Sequence, residues 1–212
     1  DDVAAAICLW LLLALAQGAG QDAERLDSVY PHEVVASGGT LLTVFGSFSS
    51  VARHKCRLVD TRVPANRLEV ASQSGADRLI CRLPRWPYPE SIAAVSVVNV
   101  NESSQVGNAN HVPYVNVRAT ITSVDPSNGD PAGGTVVTVL GAGFSPSRYD
   151  YACRFTCGNV SVMSAPVSPV TAMTLVCQAP AWPGETCATT VTILKALSLL
   201  PGSSVFRYVT YW

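Results

Sequence analysis

The 212-residue chain is short of charge. Lys, Arg, Asp and Glu make up 14% of it, 14 basic against 15 acidic, for a formal net charge of −1. Nucleic-acid binding needs clustered cations that release counterions. Here residues 21–117 carry nine Lys and Arg against nine Asp and Glu, and 118–212 carry five against four. Neither half is a basic or acidic module, so no nucleic-acid partner is expected. The densest basic cluster, Arg53, His54, Lys55 and Arg57, reads as a solvated loop before a strand. Histidine is scarce as well: His32, His54 and His111 all lie in the first half, near predicted loops. The sequence holds no G-x-S-x-G elbow, no HExxH pair and no Gly-rich phosphate loop after a strand. The reading is therefore not an enzyme, with no cofactor. Acidic residues are scattered where a calcium site wants them clustered.

A helical period is also missing. Past residue 20 no segment keeps an apolar 3.6-residue repeat over twelve positions, and no apolar run there reaches the roughly 20 residues of a membrane span. The one long apolar run is VAAAICLWLLLALA (3–16), followed by the small residues of QGAG. That is the length of a signal-peptide core, with ALA (14–16) or GAG (18–20) as the cleavage site. Residues 1–20 are read as a leader removed on maturation, which makes the chain secreted or part of a cell-surface ectodomain. Asp1 and Asp2 stand where a leader carries positive charge, so a fragment or a displaced start is expected.

What is plentiful fits that route. Of seven cysteines, Cys8 lies in the leader; Cys56, Cys81, Cys153, Cys157, Cys177 and Cys187 remain. An even number in a secreted chain implies a disulfide framework. The tripeptides Asn101-Glu-Ser and Asn159-Val-Ser are N-glycosylation acceptors. Cys153, Cys157, Cys177 and Cys187 could be imagined around zinc, but four-cysteine sites draw on two pairs with roughly two to four residues inside each. Nine residues separate Cys177 from Cys187, and no metal is expected.

The chain also repeats itself. DSVYPHEVVASGGTLLTVFGSFS (27–49) lines up with TSVDPSNGDPAGGTVVTVLGAGFS (122–145), and Cys56-Arg-Leu with Cys153-Arg-Phe. LICRLPRWP (79–87) lines up with LVCQAPAWP (175–183), AAVSVVNV (93–100) with CATTVTIL (187–194), and Tyr114-Val115 with Tyr208-Val209. The offset stays between 94 and 97, so two copies of about 95 residues follow one another. Within each, short runs rich in Val, Thr, Ile and Leu alternate with Gly, Pro, Ser and Asn clusters, the punctuation of strands and tight turns. About seven such strands per copy predict an all-β, immunoglobulin-like sandwich. YVNVRATITSV (114–124) runs from one copy to the next without a linker, so the two should pack end to end as a stiff rod.

Pro31/Pro126, then GGT-x-x-T-V-x-G, F-S, C-R-[LF], L-x-C-x-x-P and a last strand with Tyr resemble the IPT/TIG domain. This is the immunoglobulin-like, E-set type module of plexins, of the hepatocyte growth factor receptor group and of fibrocystin-like proteins, shared with some transcription factors. The resemblance covers 26–117 and 118–212; the second copy matches better, because the first lacks a glycine between Gly46 and Phe48. Six cysteines allow fifteen pairings, which the repeat narrows to Cys56–Cys81 and Cys153–Cys177, leaving Cys157 for Cys187. Closing a loop of 24 residues contributes about 3 kcal/mol in the chain-entropy model. Pro84 and Pro180 should end strands, and Trp86 and Trp182 should fold back as apolar lids.

The resemblance implies a non-catalytic extracellular module that contacts another protein, of unknown identity. The leader, the cysteines and the neutral charge count against the transcription-factor branch. Two alternatives stand beside it. One is a carbohydrate-binding accessory module, for which Tyr149, Tyr151 and Trp182 are the candidate aromatics; the other is a passive spacer.

Overall fold

A computed structural model describes residues 23–108, 111–147 and 150–210. The leader expected over 1–20, Cys8 and Tyr149 lie outside the described residues. Among those described there is no helix, and so none long and apolar enough to cross a membrane.

The first half supplies β1 (Arg25–Tyr30), β2 (Glu33–Val35), β3 (Leu41–Ser47), β4 (His54–Asp60), β5 (Arg67–Ser74), β6 (Arg78–Arg82), β7 (Ser91–Asn99), β8 (Ser104–Gln105), β9 (Gly107–Asn108) and β10 (Tyr114–Arg118). One layer runs β2-β10-β7-β4-β5 and the other β5-β6-β3-β1-β9. β5 joins the two: Ala71 to Arg67 pair with β4, while Ser72 to Ser74 pair with β6. The second half supplies β11 (Thr120–Asp125), β12 (Asn128–Gly129), β13 (Val136–Ala142), β14 (Tyr151–Cys157), β15 (Val160–Met163), β16 (Thr174–Gln178), β17 (Ala188–Lys195), β18 (Ser198–Leu199) and β19 (Ser204–Tyr208). Its layers are β11-β13-β16 and β12-β19-β17-β14-β15. Here, among the described residues, β15 pairs only with β14, and no strand joins the two layers.

Strict alternation makes the two cores. In β4, HKCRLVD, every second residue from His54 to Asp60 is buried, because successive side chains of a strand point to opposite faces. Cys56, Leu58, Val95 and Val97 thus meet Leu42, Val44, Leu79 and Cys81 across the first sandwich. Tyr151, Cys153, Phe155, Val191 and Ile193 meet Val137, Val139, Leu175 and Cys177 across the second. Cys56–Cys81 and Cys153–Cys177 each bridge the two layers, with Cα atoms 6.3 Å apart. Cys157 at the end of β14 joins Cys187, just before β17.

The strand ladders correct one alignment. Cys56 pairs with Val97 and Cys153 with Ile193, so Val97 corresponds to Ile193, two residues from the match read between 93–100 and 187–194. A slip of two leaves every side chain on its own face, which is why an alternating pattern cannot reveal it.

The prolines and tryptophans of the repeated motif sit as expected. β6 and β16 stop at Arg82 and Gln178, two residues before Pro84 and Pro180. Trp86 and Trp182 are buried, and their indole N–H groups donate to the Pro89 and Glu185 carbonyls at 2.9 Å in both. Trp182 stacks on Tyr208, whose hydroxyl donates to the Pro180 carbonyl at 3.0 Å. Burial pushes the Tyr208 hydroxyl up to about 12.

Candidate functional site

The six cysteines are consumed as three structural disulfides. Among the described residues no group of three or more His, Cys, Asp and Glu could hold a metal ion. Asn101 lies in the turn after β7, and Asn159 in the two-residue turn between β14 and β15; both are exposed. The aromatic platform imagined for a sugar is not formed: Tyr151 is fully buried at the start of β14 and Trp182 is packed over the second core. Strand alternation with Cys153 and Phe155 was the signal that Tyr151 points inward.

His54 departs from the sequence reading most. It opens a strand instead of sitting in a loop, and it is 2% exposed. Its Nε2 lies 2.8 Å from Oε1 of Glu24, which also accepts the Ser49 N–H at 2.7 Å. Oε2 of Glu24 accepts from the Asn99 side-chain amide at 2.9 Å. Burial raises the Glu24 pKa, but these hydrogen bonds and the nearby His54 outweigh it and hold the carboxyl below its ordinary value. The second sandwich solves the same problem with one residue. Tyr151 stands where His54 does, each ring set edge-on to a phenylalanine, Phe144 or Phe48, and the Tyr151 hydroxyl accepts the Ser145 N–H directly. The Glu24–His54 pair is thus a two-part replacement for a tyrosine, with a structural use for both groups. Lys55 and Arg57 flank it on the outward face of β4, and Arg57 is paired with Glu69 on β5 at 2.7 Å.

Ala119 occupies the place of Glu24 in the second sandwich, and the freed position forms a joint. A single residue, Ala119, separates β10 from β11. Its N–H donates to Oε2 of Glu90 at 3.0 Å, and Oε1 of Glu90 meets Nζ of Lys195. Burial, with Arg62 adding repulsion, pulls the Lys195 pKa below its ordinary value. The Glu90 N–H donates to the Gly143 carbonyl at 2.7 Å, and the Arg85 guanidinium to the Gly141 carbonyl at 2.8 Å. Ala142 is buried in the core cluster of the first sandwich. Gly143 is the residue the first copy lacks. It adopts φ +82°, and a Cβ there would come within 2.8 Å of the Ala119 Cα and 2.9 Å of the Ala36 Cβ. Only glycine permits both that backbone conformation and that approach.

An apolar display lies on the outer face of the β1-β3-β6 layer. Tyr30, Leu41 and Phe45 are exposed, at 65%, 57% and 38%. The registers Tyr30↔Thr43↔Ile80 put Ile80 beside them, and Leu41↔Arg82 and Phe45↔Arg78 put an arginine at each end. The same face of the second sandwich carries Val136 and Leu140, with no aromatic residue and no arginine on β13 or β16.

Residues 119–208 match the IPT/TIG domain family. Fibrocystin-L of Homo sapiens is 29% identical over 131 residues, a stretch that covers 59% of this chain and 3% of that protein. The chain therefore spans a small part of the curated relative it matches. Among solved structures, the full extracellular region of plexin A4 aligns over 91% of this chain and 19% of its own, at 19% identity and a TM-score of 0.36. The Yersinia pseudotuberculosis adhesin InvE aligns over 89% of this chain and 61% of its own, at 12% identity and a TM-score of 0.35. The family match thus falls on the second sandwich, 119–208, whose all-β, immunoglobulin-like fold is that of the IPT/TIG domain.

Proposed function

We propose that the chain is a tandem IPT/TIG unit of an extracellular protein, its first domain ending at the joint, and that it works by binding another protein, without catalysis. Three disulfides and two exposed sequons support the oxidising, glycosylating route outside the cell. The observation that carries the binding role is the outer face of β1-β3-β6. Tyr30, Arg78 and Arg82 are of the types enriched among the residues that carry binding energy in protein interfaces, and Leu41, Phe45 and Ile80 supply apolar area between them. These side chains lie outside the core, which supports a contact made with another protein. The test is capture of partners from cell-surface extracts by the disulfide-bonded chain and by its Phe45→Asp and Leu41→Asp variants. Loss of capture with unchanged melting supports the reading. Capture that survives both substitutions, or capture of nothing by the unmutated chain, overturns it.

A further inference from the structure

The two sandwiches end differently at the pole where β1 or β11 begins. In the second, that pole is covered by the first sandwich through Glu90, Arg85 and Ala36. In the first, the corresponding pole carries a cleft of about 830 Å³, lined by Glu24, Phe48, Ser49, Asn99, Asn101 and Gln105 among others. That volume lies within the span of small-ligand sites, roughly 300–1,000 Å³.

The lining restricts what fits. Its two charged groups, Glu24 and Glu102, are both acidic, which disfavours an anion. Glu24 spends both oxygens on Ser49, His54 and Asn99, and Glu102 accepts from the Ser104 hydroxyl. What remains is uncharged: serine hydroxyls at 47, 49, 50 and 104, the Gln105 amide, and the apolar surface of the exposed Val51, with Phe48 and Val106 buried beneath. Hydroxyl and amide groups beside a small apolar surface match a sugar.

Asn101 lies in that lining and heads the sequon Asn101-Glu102-Ser103. Its turn is held by Oδ1 of Asn99, which accepts the N–H groups of Asn101 and Glu102 at 3.1 and 3.4 Å. Oδ1 of Asn101 accepts the Arg53 N–H at 3.4 Å. Nδ2, the atom that glycosylation modifies, makes no hydrogen bond among the described residues. Asn159, the other acceptor, is exposed on its hairpin tip and does not line this cleft.

We infer that an N-linked glycan at Asn101 folds back into the cleft, its first N-acetylglucosamine units covering on the first sandwich the pole that the joint covers on the second. This rests on the extracellular reading above. The linkage forms when Nδ2 displaces the diphosphate of a lipid-linked oligosaccharide: the C1–O bond breaks, the C1–N bond forms, one Nδ2 proton leaves, and the lipid diphosphate departs. The bound sugars then donate to and accept from the serine and glutamine groups and lay an apolar face on the exposed Val51.

The test expresses the full chain behind a supplied leader in mammalian cells. Glycopeptide mass spectrometry reads occupancy at both sites. Hydrogen–deuterium exchange then compares the native glycoprotein, the enzymatically deglycosylated protein, and the Asn101→Gln, Ser103→Ala and Asn159→Gln variants. The expected result is an occupied Asn101 and faster exchange at 47–52 and 99–107 whenever that glycan is missing, by enzyme or by either substitution. Loss of the Asn159 glycan should leave those segments unchanged. Occupancy at Asn159 alone overturns the inference, and so does an occupied Asn101 whose removal leaves exchange the same. A chain retained in the cell with free thiols and no glycan overturns the extracellular reading itself, a result distinct from the other two.

Discussion

Replacing Gly143 by alanine tests the joint between the sandwiches. Two separate terms oppose the substitution. At φ +82° an L-residue with a Cβ costs about 1–2 kcal/mol. The new methyl would also sit 2.8 Å from the Ala119 Cα, 2.9 Å from the Ala36 Cβ and 3.2 Å from the Ala119 N. None of these is the end of a flexible side chain, so relief requires backbone movement, and forced packing of this kind costs about 1–3 kcal/mol. Gly134 separates the terms. Its φ is +87°, but its nearest neighbour is the Gln178 side-chain amide at 3.7 Å, so Gly134→Ala carries the backbone penalty with almost none of the crowding. Scanning calorimetry should place Gly143→Ala below Gly134→Ala by about 1–3 kcal/mol, roughly 3–9 °C for a chain of this size. If the strain is relieved by opening the joint, small-angle scattering should report a longer particle and calorimetry two resolved transitions. Equal melting of the two variants, with an unchanged scattering profile, would refute the claim that these contacts fasten one sandwich to the other.

Two further outcomes follow from the structure. Glu24 is held below its ordinary value of 4.5 in the folded state, so its contribution is complete above that pH and is lost as the pH falls through the lower, folded value. The stability gap between the unmutated chain and Glu24→Gln, read from urea midpoints between pH 3 and 7, should therefore widen towards neutrality; parallel curves would rule this out. Replacing Cys157 and Cys187 by serine opens a 30-residue loop and should lower the stability of the second sandwich by about 3–4 kcal/mol in the chain-entropy model, with a loss under about 1 kcal/mol counting against it.

The repeat made the architecture legible, because strand runs, turn residues and cysteines recur at nearly constant spacing. The basic run around His54 was opaque for a specific reason. Its alternation sends Lys55 and Arg57 outward while His54, Cys56 and Leu58 go inward, and composition alone sees only a polar cluster. The role of Glu24 was hidden too, since its partners Ser49, His54 and Asn99 lie 25, 30 and 75 residues away. The joint depends on Glu90 meeting Lys195 across 105 residues, a distance no local pattern spans. Its one trace in the sequence was the extra glycine of the second copy, visible as a mismatch but without meaning until Ala36 and Ala119 were seen against it.

Ala119 is the whole connection between β10 and β11, and its own amide is already bound to Glu90. A lever arm of one residue has almost no slack to absorb rotation. Torque applied to the outer face of either sandwich is therefore passed to its neighbour as a change of heading, and tension along the chain loads the Glu90 clasp at once, with no slack to draw out first.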